Sequence, residues 1–128
     1  MDKRHLGVVG LGVMGKNLAL NAESKGFSAA GFDIDSDKTS KVAAAVEGKQ
    51  ITITNSLPDF VAVLERPRRI LLMVPAGKAV DAVLTDLKPH LEKEDIVIDG
   101  GNSYFKDTER RVKELEAAGL RLFGMGVS

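Results

Sequence analysis

The sequence predicts an α/β fold of three layers, a doubly wound parallel sheet with helices on both faces. Three observations predict it. Short apolar runs rich in β-branched residues alternate along the whole chain with longer amphipathic segments, the rhythm of repeated strand–helix units. Runs such as ILLMV (residues 70–74) and IVI (96–98) are apolar at consecutive positions, so both faces need cover, which crossover helices on a parallel sheet provide. And 128 residues, 44% of them hydrophobic, suffice for one core, so residues 1–128 are expected to form one domain.

Taken in order, the first strand is HLGVVG (5–10), and its helix runs from about Val13 to Gly26, a residue suited to the left-handed position after a helix. The second strand is FSAAGF (27–32). Its helix starts behind Asp35 or Ser36, both good N-caps, and fades by Gly48. QITIT (50–54) is the third strand. Ser56 is the N-cap of the helix after it, with Asp59 at capping-box spacing and Pro58 in the first turn, where a missing N–H costs little. RILLMV (69–74) leads into a helix from about Lys78 to Leu87 that Pro89 closes, and DIVID (95–99) into one from about Tyr104 to Ala118 that Gly119 closes. LRLFG (120–124) is the last strand. Right-handed crossovers and the reversal of strand order then put a ligand crevice at the carboxyl ends of the first and fourth strands.

Eighteen basic and eighteen acidic side chains cancel, so the field that would draw a nucleic acid or an anionic membrane is absent from the chain as a whole. With no cysteine there is no disulfide framework and no thiolate metal site, and no apolar run reaches the length of about 18 residues that a membrane span needs. The opening MDKRHLGVVG turns glycine-rich before it supplies the apolar core of a secretory signal, so a cytoplasmic protein is expected.

Any anion must therefore be held by local geometry, and VVGLGVMG offers it. Gly10 ends the first strand and permits the tight turn, Gly12 lets backbone N–H groups approach a pyrophosphate, and Gly15 lets the helix pack on the strand. The helix that follows aims its unsatisfied N–H groups and the positive end of its dipole at the same point. Three glycines in a strand-to-helix turn also fit simple close packing. The context favours a dinucleotide: a strand before, a helix after, and an acid, Asp33, at the end of the second strand, 18 positions past Gly15. The expected fold is thus of Rossmann type.

A carboxylate at Asp33 accepts hydrogen bonds from the adenosine ribose of NAD and repels the 2′-phosphate of NADP, by about 1 kcal/mol at 4 Å in water and about 4 at an effective dielectric of 20. Ile34 and Asp35 follow, so no arginine stands there to grip a 2′-phosphate, although Lys38 and Lys41 lie in the next helix. Asp35 reads as that helix's cap. The expectation is NAD in preference to NADP, and no metal. The remaining conspicuous residues have plainer readings. His5 and His90 are isolated and structural. Arg66, Arg68 and Arg69 precede a strand, hence lie at the far end of the sheet from the crevice, on a solvated face. Of Met14, Met73 and Met125, only Met14, inside the glycine turn, is a contact candidate. Asn102, a polar residue after two glycines at the crevice mouth, sits where binding loops are found.

GLGVMGKNLALN, RPRRILLMVPAGKAVD, IVIDGGNSYFKDTERR and the terminal GMGVS together resemble the coenzyme domain of the 6-phosphogluconate dehydrogenases, within the wider β-hydroxyacid dehydrogenase family, from about Leu6 to Ser128. The resemblance implies oxidative decarboxylation of 6-phosphogluconate to ribulose 5-phosphate without a metal, with hydride passing from the sugar C3 to the nicotinamide. It implies that Gly10, Leu11, Gly12, Val13, Met14 and Gly15 hold the pyrophosphate and that Asp33, Ile34 and Asp35 meet the adenosine ribose. Val74, Pro75, Ala76 and Gly77 would touch the inner part of the cofactor. Asn102 would sit between nicotinamide and sugar, and Ser128 would touch the substrate. No catalytic residue falls within this chain. The family's catalytic lysine and its partner acid lie in a helical substrate and dimerisation domain beyond Ser128, so the full-length protein would be a homodimer or larger and this chain alone inactive.

Two departures stand out. NADP-dependent members usually carry Asn-Arg-Thr where this chain has Asp33, Ile34 and Asp35, and many have a lysine at the position of Pro75. Two other functions fit the residues: a related NAD-dependent dehydrogenase of a small β-hydroxyacid, and a non-catalytic NAD-sensing regulatory domain, which would have no use for Asn102 or the GVS ending.

Overall fold

A computed structural model describes residues 3–101 and 105–124. Six parallel strands form one sheet in the order β3-β2-β1-β4-β5-β6. They are β1 (Leu6–Val9), β2 (Ala29–Phe32), β3 (Ile51–Ile53), β4 (Arg69–Leu72), β5 (Ile96–Asp99) and β6 (Arg121–Gly124). The helices between them are α1 (Val13–Ser24), α2 (Ser36–Ala45), α3 (Leu57–Ala62), α4 (Lys78–Leu87) and α5 (Phe105–Ala117), with a 3-10 turn over Lys88–His90. Every expected strand and helix is present, and the predicted doubly wound sheet is the one observed.

The alternation of side chains along the strands sorts them into two cores. Val8 and Ala29 pack with Ala19 of α1, Val42 of α2 and Ile51 on one face. Val9, Ala30, Ile70, Leu72 and Val97 pack on the other with Phe60 of α3, Val80, Leu84 and Leu87 of α4, and Leu115 of α5. Ile70, Leu71 and Leu72 are buried in succession, as a strand covered on both sides must be. Each such side chain removed from water contributes about 1.5–3 kcal/mol before the entropy of ordering is subtracted.

The helix ends follow their local chemistry. Asp35 accepts from the N–H groups of Asp37 and Lys38, and Ser56 from that of Asp59, so α2 and α3 are capped by their own side chains. Gly26 and Gly119 take positive φ after α1 and α5, the conformation that glycine alone adopts at no cost. Because α1 turns to one face after β1 and α4 to the other after β4, the carboxyl ends of these neighbouring strands diverge. That divergence is the crevice.

Candidate dinucleotide-binding site

Three glycines build the loop after β1, and they are glycine for different reasons. Gly10 has φ +102°, and a Cβ there would run into the carbonyl of Met73 at the end of β4. At Gly15 a Cβ would run into the Gly10 carbonyl. Both are demanded by the protein's own packing. Gly12 differs: its φ is −67°, which any residue adopts, and a Cβ there would meet nothing within 4 Å. Among the described residues nothing requires a glycine at position 12. A side chain there would occupy only the open space in front of α1.

That space faces donors. Gly12 is the N-cap of α1 and offers no side-chain cap, and the first turn of the helix holds no acidic residue. The unsatisfied N–H groups and the dipole of a 12-residue helix therefore open onto the crevice. Val13 and Met14 border it, 78% and 42% exposed. Leu11, by contrast, is buried among core residues, and its N–H is already taken.

What takes it is Asp33. Its Oδ2 accepts from the Leu11 N–H at 2.7 Å and its Oδ1 from the Asp35 N–H at 2.8 Å, while the Phe32 carbonyl accepts from the Gly10 N–H at 2.9 Å. The carboxylate thus fastens the glycine loop to the end of β2. Ile34 beside it is 93% exposed, and Asp35 is spent on capping α2.

On the other wall, residues 74–77 leave the carboxyl end of β4, with Pro75 and Ala76 exposed and Gly77 at φ +89° starting α4, again with no side-chain cap. The loop after β5 lies against them: the Gly100 N–H donates to the Leu72 carbonyl at 2.9 Å, and a Cβ on Gly101 would sit 2.8 Å from the Val74 carbonyl oxygen. Thus the expected residues of the segments 10–15, 33–35 and 74–77 converge at one edge of the sheet. Asn102 and Ser128 lie outside the described residues.

Sequence reasoning missed Arg111. This guanidinium is fully buried beneath α5, donating to both carboxylate oxygens of Asp81 (2.7 and 3.2 Å) and to the Gly77 carbonyl (3.1 Å), with Asp99 at 3.8 Å. Hydrogen bonding by Arg111, helped by Arg110, holds the Asp81 carboxyl below the usual carboxylate range. The signal was available, since Arg111 stands four residues before Leu115 on the stripe that α5 buries. The arginine group at the other end also differs from expectation. It does lie away from the crevice, but Arg68 is not solvated. Its side chain is 11% exposed and its Nη1 meets Asp95 at 3.0 Å, while Asp95 also accepts the N–H groups of Arg68 and Glu92. His5 is structural as expected, its Nδ1 accepting from the Ser28 N–H at 2.9 Å. Among the described residues no group of three or more His, Asp or Glu side chains gathers to hold a metal ion, and no helix is long and apolar enough to cross a membrane.

Residues 5–128 match the family described as the NAD binding domain of 6-phosphogluconate dehydrogenase. The chain belongs to that family. It is 55% identical, over its whole length, to the NADP(+)-dependent, decarboxylating 6-phosphogluconate dehydrogenase of Bacillus subtilis, and 57% identical to the decarboxylating 6-phosphogluconate dehydrogenase of a Synechocystis strain. It spans 27% of each of those relatives. The 6-phosphogluconate dehydrogenase of Plasmodium falciparum, solved in apo form and in complex with its cofactor NADP+ and its substrate 6-phosphogluconate, superposes with a TM-score of 0.89 at 35% identity, covering 97% of this chain and 27% of that one. Of the three functions left open by the residues, the matches support the first.

They also correct the expected cofactor. Preference for NAD over NADP rested on Asp33, Ile34 and Asp35, yet the Bacillus relative is named NADP(+)-dependent and the Plasmodium enzyme's cofactor is NADP+. The physical reason lies in the hydrogen bonds of Asp33. A free carboxylate facing the ribose would repel a 2′-phosphate, whereas each oxygen of Asp33 accepts a backbone N–H that offsets its charge and directs it to the glycine loop. Lys38 and Lys41 are exposed on α2 immediately beyond.

Proposed function

We propose that this chain binds NADP+ across the crevice and serves as the cofactor-binding domain, residues 1–128, of an oxidoreductase that decarboxylates 6-phosphogluconate. One observation carries the reading: Gly12 is the loop glycine that protein packing does not account for, and it stands before an uncapped helix. A pyrophosphate seated there receives the N–H groups of the first turn of α1. Ile34, which has almost no protein contact of its own, offers an apolar face at the adenosine end, and Lys38 and Lys41 offer positive charge to the 2′-phosphate. Residues 74–77 wall the inner half of the cofactor. When bound, the nicotinamide supplies a hydride acceptor; this chain's part is to hold and orient it.

Asn102 and Ser128 are proposed to reach the substrate, with the proton-transferring groups supplied by a helical domain beyond Ser128 through which a cytoplasmic full-length enzyme dimerises. The 128-residue chain then binds cofactor without turnover. Calorimetry tests this: NADP+ is expected to bind with a dissociation constant on the order of micromolar, about −8 kcal/mol. Absence of heat at millimolar NADP+ would refute the proposal.

A further inference from the structure

Arg111 is held by three groups from the two loops, after β4 and after β5, that build one wall of the crevice. Gly77 ends the loop after β4 and Asp81 lies in the first turn of the helix that loop begins, while Asp99 ends β5 and also accepts the Gly101 N–H at 3.0 Å. The guanidinium is fully buried, and its Nη1, 3.8 Å from Asp99, has no hydrogen-bond partner among the described residues. A buried charge with an unsatisfied nitrogen is a poor choice for stability, since an apolar side chain of similar volume fills such a space at least as well. Arg68, at the opposite end, shows what a stabilising arrangement looks like, with its Nε on the Val61 carbonyl and its Nη1 on Asp95.

What Arg111 does that an apolar residue cannot is set a distance. Its planar fork reaches the Gly77 carbonyl, Asp81 and Asp99 at once, with a rigidity that a single ammonium lacks. We propose that Arg111 is a positioning residue that fixes the separation of residues 74–77 from residues 99–101, and with it the seat of the nicotinamide half of the cofactor. This rests on the proposed function. It assigns Arg111 no contact with cofactor or substrate; it acts through the loops.

The test separates the two halves of the cofactor on the 128-residue chain. NADPH fluorescence reports how the nicotinamide is held, and binding of 2′-phospho-ADP-ribose, which lacks the nicotinamide, reports the glycine loop. In Arg111→Lys and in Asp81→Asn, which keeps one acceptor at a half-exposed position and so preserves the fold even where the lysine variant does not, the fluorescence gain at saturation should fall by roughly half or more. Affinity for the nicotinamide-free fragment should stay within about twofold. Unchanged fluorescence, or a parallel loss of both signals, would overturn the proposal, the latter by making Arg111 a general support of the fold. If the wild-type chain binds the fragment but gives no NADPH fluorescence gain, the positioning role fails while the cofactor reading stands. If it binds neither ligand, both fail.

Discussion

α1 and α2 begin at the same edge of the same sheet, one strand apart, and their first turns are built in opposite ways. α2 opens on Asp35, which accepts two N–H groups of its own helix, and carries Asp37 behind it. α1 opens on Gly12, which accepts none with its side chain, and has no acid in the first turn. The contrast repeats one step out: α3 is capped by Ser56, whereas α4 starts on Gly77 with no side-chain cap. Among α1 to α4, the helices whose starts lie within the described residues, the two with bare starts are those that follow β1 and β4, the neighbouring strands at the crevice. A helix start that serves only the fold satisfies itself. One that leaves its donors open beside a cleft has them available for an anion.

The largest effect expected within this comparison comes from the glycine that is not about ligands. Gly15→Ala forces a methyl group into the Gly10 carbonyl, a backbone atom that cannot rotate away. A loss of about 3 kcal/mol or more in urea unfolding, or no folded protein, is the expected outcome. A normal unfolding midpoint would mean that α1 does not pack on the β1 loop as described.

Gly12→Ser is the sharper change, because it rebuilds α1 on the plan of α2. Serine adopts φ −67° without strain and supplies the missing cap, so stability should hold or rise by a few tenths of a kcal/mol. NADP+ affinity should fall by about 100-fold, near 2.7 kcal/mol, as the hydroxymethyl group occupies the space in front of α1. Calorimetry beside a thermal melt checks both halves. A variant that binds as well as the wild type would remove the reason for calling that space a phosphate seat.

Part of this contrast was legible in the sequence. The strands and helices and the caps at Asp35 and Ser56 followed from periodicity and local chemistry, which act over a few residues, and the crevice from the doubly wound topology that they imply. The glycine motif was legible together with the different roles of its members, but not the Met73 carbonyl that lies against Gly10, because it comes from far along the chain. Asp33 misled for the same reason: a carboxylate at a strand end looks free until the loop after β1 folds across it and donates the Leu11 N–H. Arg111 was hidden because a charged residue on a helix reads as surface unless its place on the buried stripe is weighed above its type. Ser128 rests on resemblance alone, and Asn102 on resemblance and on its place after two glycines at the crevice mouth.

Asp35→Ala sits lower on the scale. It removes the acceptor for the N–H groups of Asp37 and Lys38, so about 1 kcal/mol of stability should be lost in urea unfolding. NADP+ affinity should change by no more than about threefold, since this carboxylate is committed to its own helix. A change as large as that for Gly12→Ser would dissolve the distinction between the two helix starts.

The smallest effect is a pH dependence in α4, the helix whose first turn holds an acid yet lacks a cap. Asp81 pairs with Arg111 and Arg110, and Arg111 above all lowers its carboxyl below the ordinary value. Because the folded value lies below the unfolded one, the stabilisation is present above the ordinary carboxylate range, near pH 4, and is lost as pH falls through the folded value. Asp81 is 40% exposed, so water screens the pair and the pH-dependent part should not exceed about 1 kcal/mol. Urea unfolding of the wild type and Asp81→Asn should therefore differ by a constant amount from pH 7 to about pH 5, with the gap narrowing at about pH 3. A gap that widens on acidification would mean that Asp81 is stabilised in its protonated form, and that Arg111 and Arg110 do not hold its charge.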